Sequence, residues 1–592
     1  MTGWPENDLY EQVLFLFYQR TFFGRRVPVA KDIKAAKLRP ADHILKKRPI
    51  AYALNLYVPE KFEDEYEKEG VEKTCGYKLK QNVVGKLLRA TMLPKFERFD
   101  SFKPDENPVE YIMRRLGQIY PDVYQRWDDK MSDEALTRFC MYGIGAHRVD
   151  RVSEVDDDGG GGGGTMRDFF VVRTNMLSPL TVRRGFERYG GDAYFDAETW
   201  RVVKIVDKGW EYPRDKGASL ETHVSRPGDA DWAHAKFRFR SSLFTLVTLV
   251  DHLWCVHMQI SNLLVTAVRE KLPPEHPVRR FLAPFMYQTI VVNANAQANL
   301  VAPRSMGARC FAFDEKGLAL AWAAAPGLVR GGAEFQDKHN MVDRERYVAR
   351  LKEQGVDTPY YQWNLKFWRV LKAFVRSYLD CYYETPADML RDARLMAMWR
   401  QYLQAMSFSS PEALNIDPAS LKRAAQEKMA QLSPERIAET VTDLMCNYCA
   451  TVTAGHEHVG AVEVYAQDVS WCAFKWAKGV TGGTKQTAVA QGLLMAFTST
   501  PMPQLMAPPG KDGSVLNTDG DWSRLFPPAT VPAKRDAGTE EPRQCFVRFQ
   551  RDLAQLSREM DEYNAAAAER PFPYNAPLYC FNPKHLETSV SV

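Results

Sequence analysis

The sequence carries almost no surplus charge of either sign. Its 592 residues hold 78 Lys and Arg against 74 Asp and Glu, a formal net charge of +4. No dense basic tract stands out, so a polyanion such as nucleic acid is not an expected partner. Paired cysteine motifs are also missing. Ten cysteines are scattered along the chain, and Cys446 and Cys449 form a CxxC with no second CxxC to complete a structural zinc site. The scatter fits free, buried thiols in a reducing compartment. No HExxH is present, which argues against a zinc hydrolase. The first twenty residues carry Glu and Asp early and lack a basic segment followed by a cleavage motif, so no secretory signal is expected and a cytoplasmic or plastid-like interior is the expected location. No apolar run is free of polar interruption. Leu243 to Val268 contains Asp251, His252, His257, Gln259, Ser261 and Asn262, and such groups are costly in mid-membrane. A buried helix aiming polar groups at something internal fits that segment better. No internal repeat is visible.

What is present is ample core material, 45% hydrophobic and 12% aromatic residues. Helical patterns fit Asp8 to Phe23, Pro108 to Gln125, Ser433 to about Tyr465, Lys485 to Thr498 and Gln544 to Ala568. Residues 151–164, ending in six glycines after a run of acids, read as a surface loop or linker. Alternation of branched or aromatic with polar residues over 168–206 predicts short strands and a hairpin. The sum is a mainly α protein with a small β element. The expected organisation is an N-terminal helical segment at 1–150, the loop at 151–164, and a helical catalytic domain at 165–592.

Three segments could carry chemistry. In Asp251-His252-Leu253-Trp254-Cys255-Val256-His257, two histidines stand five residues apart, which an ideal α-helix would splay by about 140°. A π-bulge would bring them toward one face. The alternative is two separately satisfied core histidines. In Gly455-His456-Glu457-His458-Val459-Gly460, at most one histidine naturally faces a shared centre. Imidazoles from two apolar helices suit iron, zinc or copper. The chain end, Leu586 to Val592, follows aromatic, Pro-rich sequence and closes on a branched apolar residue. It reads equally as a tail inserted into the protein, where its carboxylate would require a cation, or as an exposed tail.

In order, GFERYGGDAYFD (185–196), WAHAKFRFRSSL (232–243), DHLWCVH (251–257) with the downstream His276-Pro277 and NANAQANLVA, TAGHEHVGAVEVY (453–465), KQTAVAQGLLMAFT (485–498) and the ending PYNAPLYCFNPKHLETSVSV (573–592) together resemble the lipoxygenases. The likeness covers roughly 185–592, more faintly 130–150, and is nearest the small bacterial, coral and algal members. It implies a helical catalytic domain around long central helices. It implies one non-haem iron, for which manganese fits the same donors, held by His252, His257, His456 and the terminal carboxylate of Val592, with His458 the alternative third histidine. Ala296, Leu300 and Leu264 are implied to line the channel for a polyunsaturated fatty acid. The implied reaction removes a bis-allylic hydrogen from a cis,cis-1,4-pentadiene and adds O2, giving a hydroperoxide. A hydroperoxide isomerase or lyase, a hydrocarbon-forming homologue, and a non-catalytic lipid-binding homologue are the alternatives.

Departures from the family pattern are specific. Gly460 stands where an Asn or His often follows the third histidine, Ser261-Asn262-Leu263 replaces a Glu-Pro-Phe, and Thr248 replaces a glutamine. The family's N-terminal β-barrel is not expected in helical-looking residues 1–150. Peripheral contact with a lipid surface would fall to Phe15, Phe17, Phe22, Phe23 and Arg25–Arg26, for which core packing is the other reading. His276 and His585 are expected to be structural or packing residues, and His339 solvated.

Overall fold

A computed structural model describes residues 129–156, 165–208, 222–273, 276–286, 289–296, 300, 310–328, 344–407, 432–460, 465, 468–483, 487, 491, 505–506, 542–578 and 580–590. The expectations for residues 1–128, for His339, for most of the helix at Lys485 to Thr498, and for Val592 lie outside them.

Strands β1 (Asp150–Asp156), β2 (Thr165–Arg173), β3 (Asp192–Asp196), β4 (Val202–Lys208) and β5 (Thr222–Ser225) form one antiparallel sheet, each pairing with the next. Period-two alternation divides its faces. Phe170, Val172, Ala193, Phe195 and Ile205 enter the main core, while Phe169, Val171 and Tyr194 form a small cluster on the other side. Lys204 covers that cluster, its ammonium 4.7 Å from the Phe169 ring centroid.

The β element therefore exceeds the expected hairpin. The expected loop at 151–164 is in part strand, since 151–156 belong to β1, and the boundary at 150 falls at a strand's first residue. The reason is cross-strand pairing of polar residues. Arg151 donates to Asp168 at 2.6 Å and Glu154 lies opposite Arg167. Acidic composition signals a loop when the partner strand is not considered.

The helices that position the site are α1 (Asp133–Met141), α2 (Trp232–Lys271), α3 (Thr289–Ala296), α4 (Pro359–Asp380), α5 (Ala393–Ser407), α6 (Pro434–Ala450, running on through Thr451–Gly455 and His456–Gly460) and α7 (Pro542–Ala565). α4 and α6 begin alike, with Thr358 or Ser433 at the cap and a proline at the first helical position. Along α4, Tyr360, Trp363, Phe367, Leu371, Phe374 and Tyr378 are buried at helical spacing. Phe374 stacks on Phe549 of α7 with centroids 4.2 Å apart. On the α6 side, the Trp368 indole N–H donates to Asn447 Oδ1 at 3.0 Å.

α2 is the central element. It is long and apolar enough to cross a membrane, yet 89% of its most apolar window is buried inside the protein. Its first turns spend their charges on neighbours. Lys236 donates to Met131 O and Asp133 Oδ1, and Arg240 donates to Trp471 O. Residues 129–149 thus pack on the same core as the rest, with Leu136, Phe139, Ile144 and Val149 fully buried in it or nearly so.

Trp368 is fully buried, whereas Val155 is 56% exposed. Truncating Trp368 to Ala is expected to lower unfolding free energy by about 3–5 kcal/mol. Val155→Ala is expected to change it by less than about 0.5 kcal/mol. Chemical denaturation of both variants checks this.

Candidate metal centre

The middle of α2, Val247–Ser261, is π-helical over 15 residues, and Thr451–Gly455 of α6 is a second π segment. A π-helix bonds residue i to i+5, so residues five apart sit one above the other. The Asn262 N–H reaches the His257 carbonyl, and the His456 N–H reaches the Thr451 carbonyl, both five residues back. Ser261 Oγ adds a bond to Val256 O at 2.6 Å, again five back. This winding turns His252 and His257 to one face, and the α6 winding delivers His456 opposite them.

Their Nε2 atoms converge. His252 to His456 is 2.9 Å, His257 to His252 is 3.0 Å, and His257 to His456 is 3.1 Å. All three rings are at least 96% buried. Asn293 on α3 sets the state of one of them. Its Nδ2 donates to the His257 carbonyl and to Asn262 Oδ1, each at 2.8 Å, so its Oδ1 accepts from His257 Nδ1–H at 2.7 Å. The His257 Nε2 lone pair then faces the other two imidazoles. Among the described residues these three histidines are the one group of His, Cys, Asp or Glu able to share a metal ion.

The donor set fits a metal: three buried imidazole nitrogens within about 3 Å of one another could share one ion, and imidazole suits iron, zinc or copper.

His458 lies elsewhere. Its Nε2 meets His147 Nδ1 at 2.9 Å, and His147 Nε2 donates to Asp251 Oδ2 at 2.8 Å. Arg148 grips both Asp251 oxygens at 2.6 Å. Burial pushes the Asp251 carboxyl up, but the charges and hydrogen bonds of Arg148 and His147 outweigh it and hold the group at about 2. Burial, then the His147 charge, push His458 well below the usual histidine range, against the pull of Asp251. This buried chain lies behind His252, whose neighbour is Asp251. It ties α2 and α6 to the turn at 146–148. Sequence reasoning assigned no role to His147, Arg148, Asp251 or Asn293. Asp251 and Asn293 sat inside the quoted motifs, but their partners are distant in the chain.

The other expected residues are placed as follows. Leu264 is fully buried seven residues past His257 on α2; Ala296 is buried at the end of α3, three residues past Asn293; Leu300 is buried too. His276 caps the helix Pro277–Leu282, accepting from Val278 N at 3.2 Å and bonding Asp392 at 2.9 Å. His585 is partly buried. The chain end is inserted, not exposed, through Val590. Leu586 and Val590 are fully buried, Leu505 N donates to Leu586 O at 2.8 Å, and Ser589 Oγ lies 3.2 Å from Thr289 Oγ1 at the start of α3. Cys446 and Cys449 are buried in α6.

This site and fold define a class. A family model described as Lipoxygenase matches residues 213–407, which include His252 and His257. Human hydroperoxide isomerase ALOXE3 is 25% identical over 370 residues, covering 61% of this chain and 46% of that protein. Mouse polyunsaturated fatty acid lipoxygenase ALOX15 is 22% identical over 372 residues, covering 61% and 49%. The matched region thus spans about half the length of these relatives. Among solved structures, a Delta413-417:GS LOX superposes with a TM-score of 0.56 at 14% identity, covering 83% of this chain and 72% of that one. An anaerobic complex of that variant with arachidonate gives 0.54 at 13% identity, covering 82% and 73%. Over residues 213–407 the chain is similar to the lipoxygenase family, and its fold is that of the lipoxygenases' helical catalytic domain.

Two tests follow from the geometry. Asn293→Ala is expected to weaken metal binding about 10–100-fold, and Asn293→Asp, which keeps an acceptor for His257 Nδ1–H, to restore part of it. Metal titration with a competing chelator checks both. Arg148→Met, leaving Asp251 buried beside His147 alone, is expected to destabilise the fold by about 3–5 kcal/mol, and adding Asp251→Leu to recover part of that. Denaturant midpoints of the single and double variants decide it.

Proposed function

We propose that this protein is a non-haem iron dioxygenase that converts polyunsaturated fatty acids carrying a cis,cis-1,4-pentadiene, with O2, into fatty-acid hydroperoxides. The single observation that carries this reading is the convergence of the His252, His257 and His456 imidazoles in a buried setting. The three imidazoles would hold the iron. We assign the terminal carboxylate of Val592 as the fourth donor, which the burial of the tail through Val590 supports. Manganese suits the same donors. Iron, when bound, supplies the one-electron chemistry that removes a bis-allylic hydrogen.

The chain's own part is to hold and to exclude. Asn293 holds the Nδ1 side of His257 and so turns its Nε2 toward the centre. Arg148 and His147 anchor Asp251 and so fix the turn of α2 that carries His252. Leu264, Ala296 and Leu300 are our candidates for the wall of the acyl channel, where apolar side chains would orient the pentadiene and keep water away. In balance, one C–H bond of the fatty acid is exchanged for C–O–O–H, both oxygens coming from O2.

A second reading is isomerisation of fatty-acid hydroperoxides. It is favoured by Gly460 at the metal-facing position of α6 and by relatives that are themselves hydroperoxide isomerases.

Purified protein is expected to contain iron near one equivalent and to consume O2 with linoleate, forming conjugated diene, while His257→Ala loses both properties. Anaerobic consumption of added hydroperoxide, without aerobic turnover of linoleate, would establish the second reading instead. Iron-free protein inert toward both substrates would overturn the two together.

A further inference from the structure

Gly460 lies four residues after His456 on α6, one turn on and on the same face. A Cβ built there would stand 3.0 Å from His252 Nε2 and 3.1 and 3.3 Å from His456 Cε1 and Nε2. Those atoms belong to the donor face itself. Any side chain at 460 would therefore crowd the His252 and His456 rings beside the converging nitrogens. The three imidazoles, with the carboxylate assigned to Val592, would hold the iron. On the α6 side, the residue that points at the centre has no side chain to offer.

We propose that Gly460 makes this side of the metal centre a binding position for a small exogenous anionic donor, no wider at its bound end than one oxygen or nitrogen atom. The inference rests on the iron reading above. Glycine has two physical consequences there. It contributes no ligand of its own, and it keeps the approach along α6 free of a Cβ that would press on His252 and His456. Asn or Ser at 460 would both supply a donor atom and close the approach, converting an exchangeable position into one owned by the chain. Alanine would close it sterically without supplying a donor.

Azide is the probe. The iron-loaded, oxidised wild-type protein is titrated with azide and followed by the azide-to-iron charge-transfer absorption, alongside Gly460→Ala and Gly460→Asn, with iron content and thermal midpoint measured for each. The expected result is saturable azide binding to wild type and binding weaker by about tenfold or more in both variants, through crowding in Ala and through an added donor in Asn. Equal azide affinity in wild type and both iron-loaded variants would overturn the proposal while leaving the metal site standing. Absence of iron from wild type would overturn the underlying reading instead. If Gly460→Asn fails to fold, Gly460→Ala still decides the matter.

Discussion

Three imidazole nitrogens meet within 2.9–3.1 Å of one another in the interior of the molecule. Neutral lone pairs brought this close repel, and a buried polar atom without a partner costs free energy. A cation shared among them removes both penalties. Much of the surrounding architecture serves to hold that convergence. Two stretches of π-helix turn histidines toward a common centre at the loss of ordinary α-helical hydrogen bonding. Asn293 fixes one ring and the neighbouring backbone together. The ion pair of Arg148 with Asp251 anchors the turn beside His252.

The tail up to Val590 is buried beside the elements that carry these residues. Leu586 and Val590 pack in the core, and Ser589 approaches Thr289, the first residue of the helix that carries Asn293. Phe581 packs at a tilt against Tyr360, which in turn packs against His458. The tail thus touches the elements that support the centre from two sides.

Much of this was legible in the residues, and the limits were physical. The five-residue spacing of His252 and His257 raised a π-bulge, but local periodicity could not show that π geometry would extend over the whole of Val247–Ser261. Choosing His456 over His458 rested on family likeness, because helix spacing alone leaves both open. The structure separates them by their partners, His252 and His257 for His456 and His147 for His458. Asn293, His147 and Arg148 were missed because each acts across a long sequence separation, which no local pattern reports. The sheet was underestimated for a related reason. β1 reads as an acidic loop until the basic residues of β2 are placed opposite it. The helices at Pro434 and Pro542 were read nearly to their ends, since capping residues, proline positions and amphipathic spacing are local signals.

The central claim is that one metal ion sits equally close to three named nitrogens. Crystals of the iron-loaded protein, measured at the iron absorption edge, test it directly. The account expects a single anomalous peak about 2.1 Å from the Nε2 atoms of His252, His257 and His456. A peak bound by His458, or one lying away from all three rings, would contradict it.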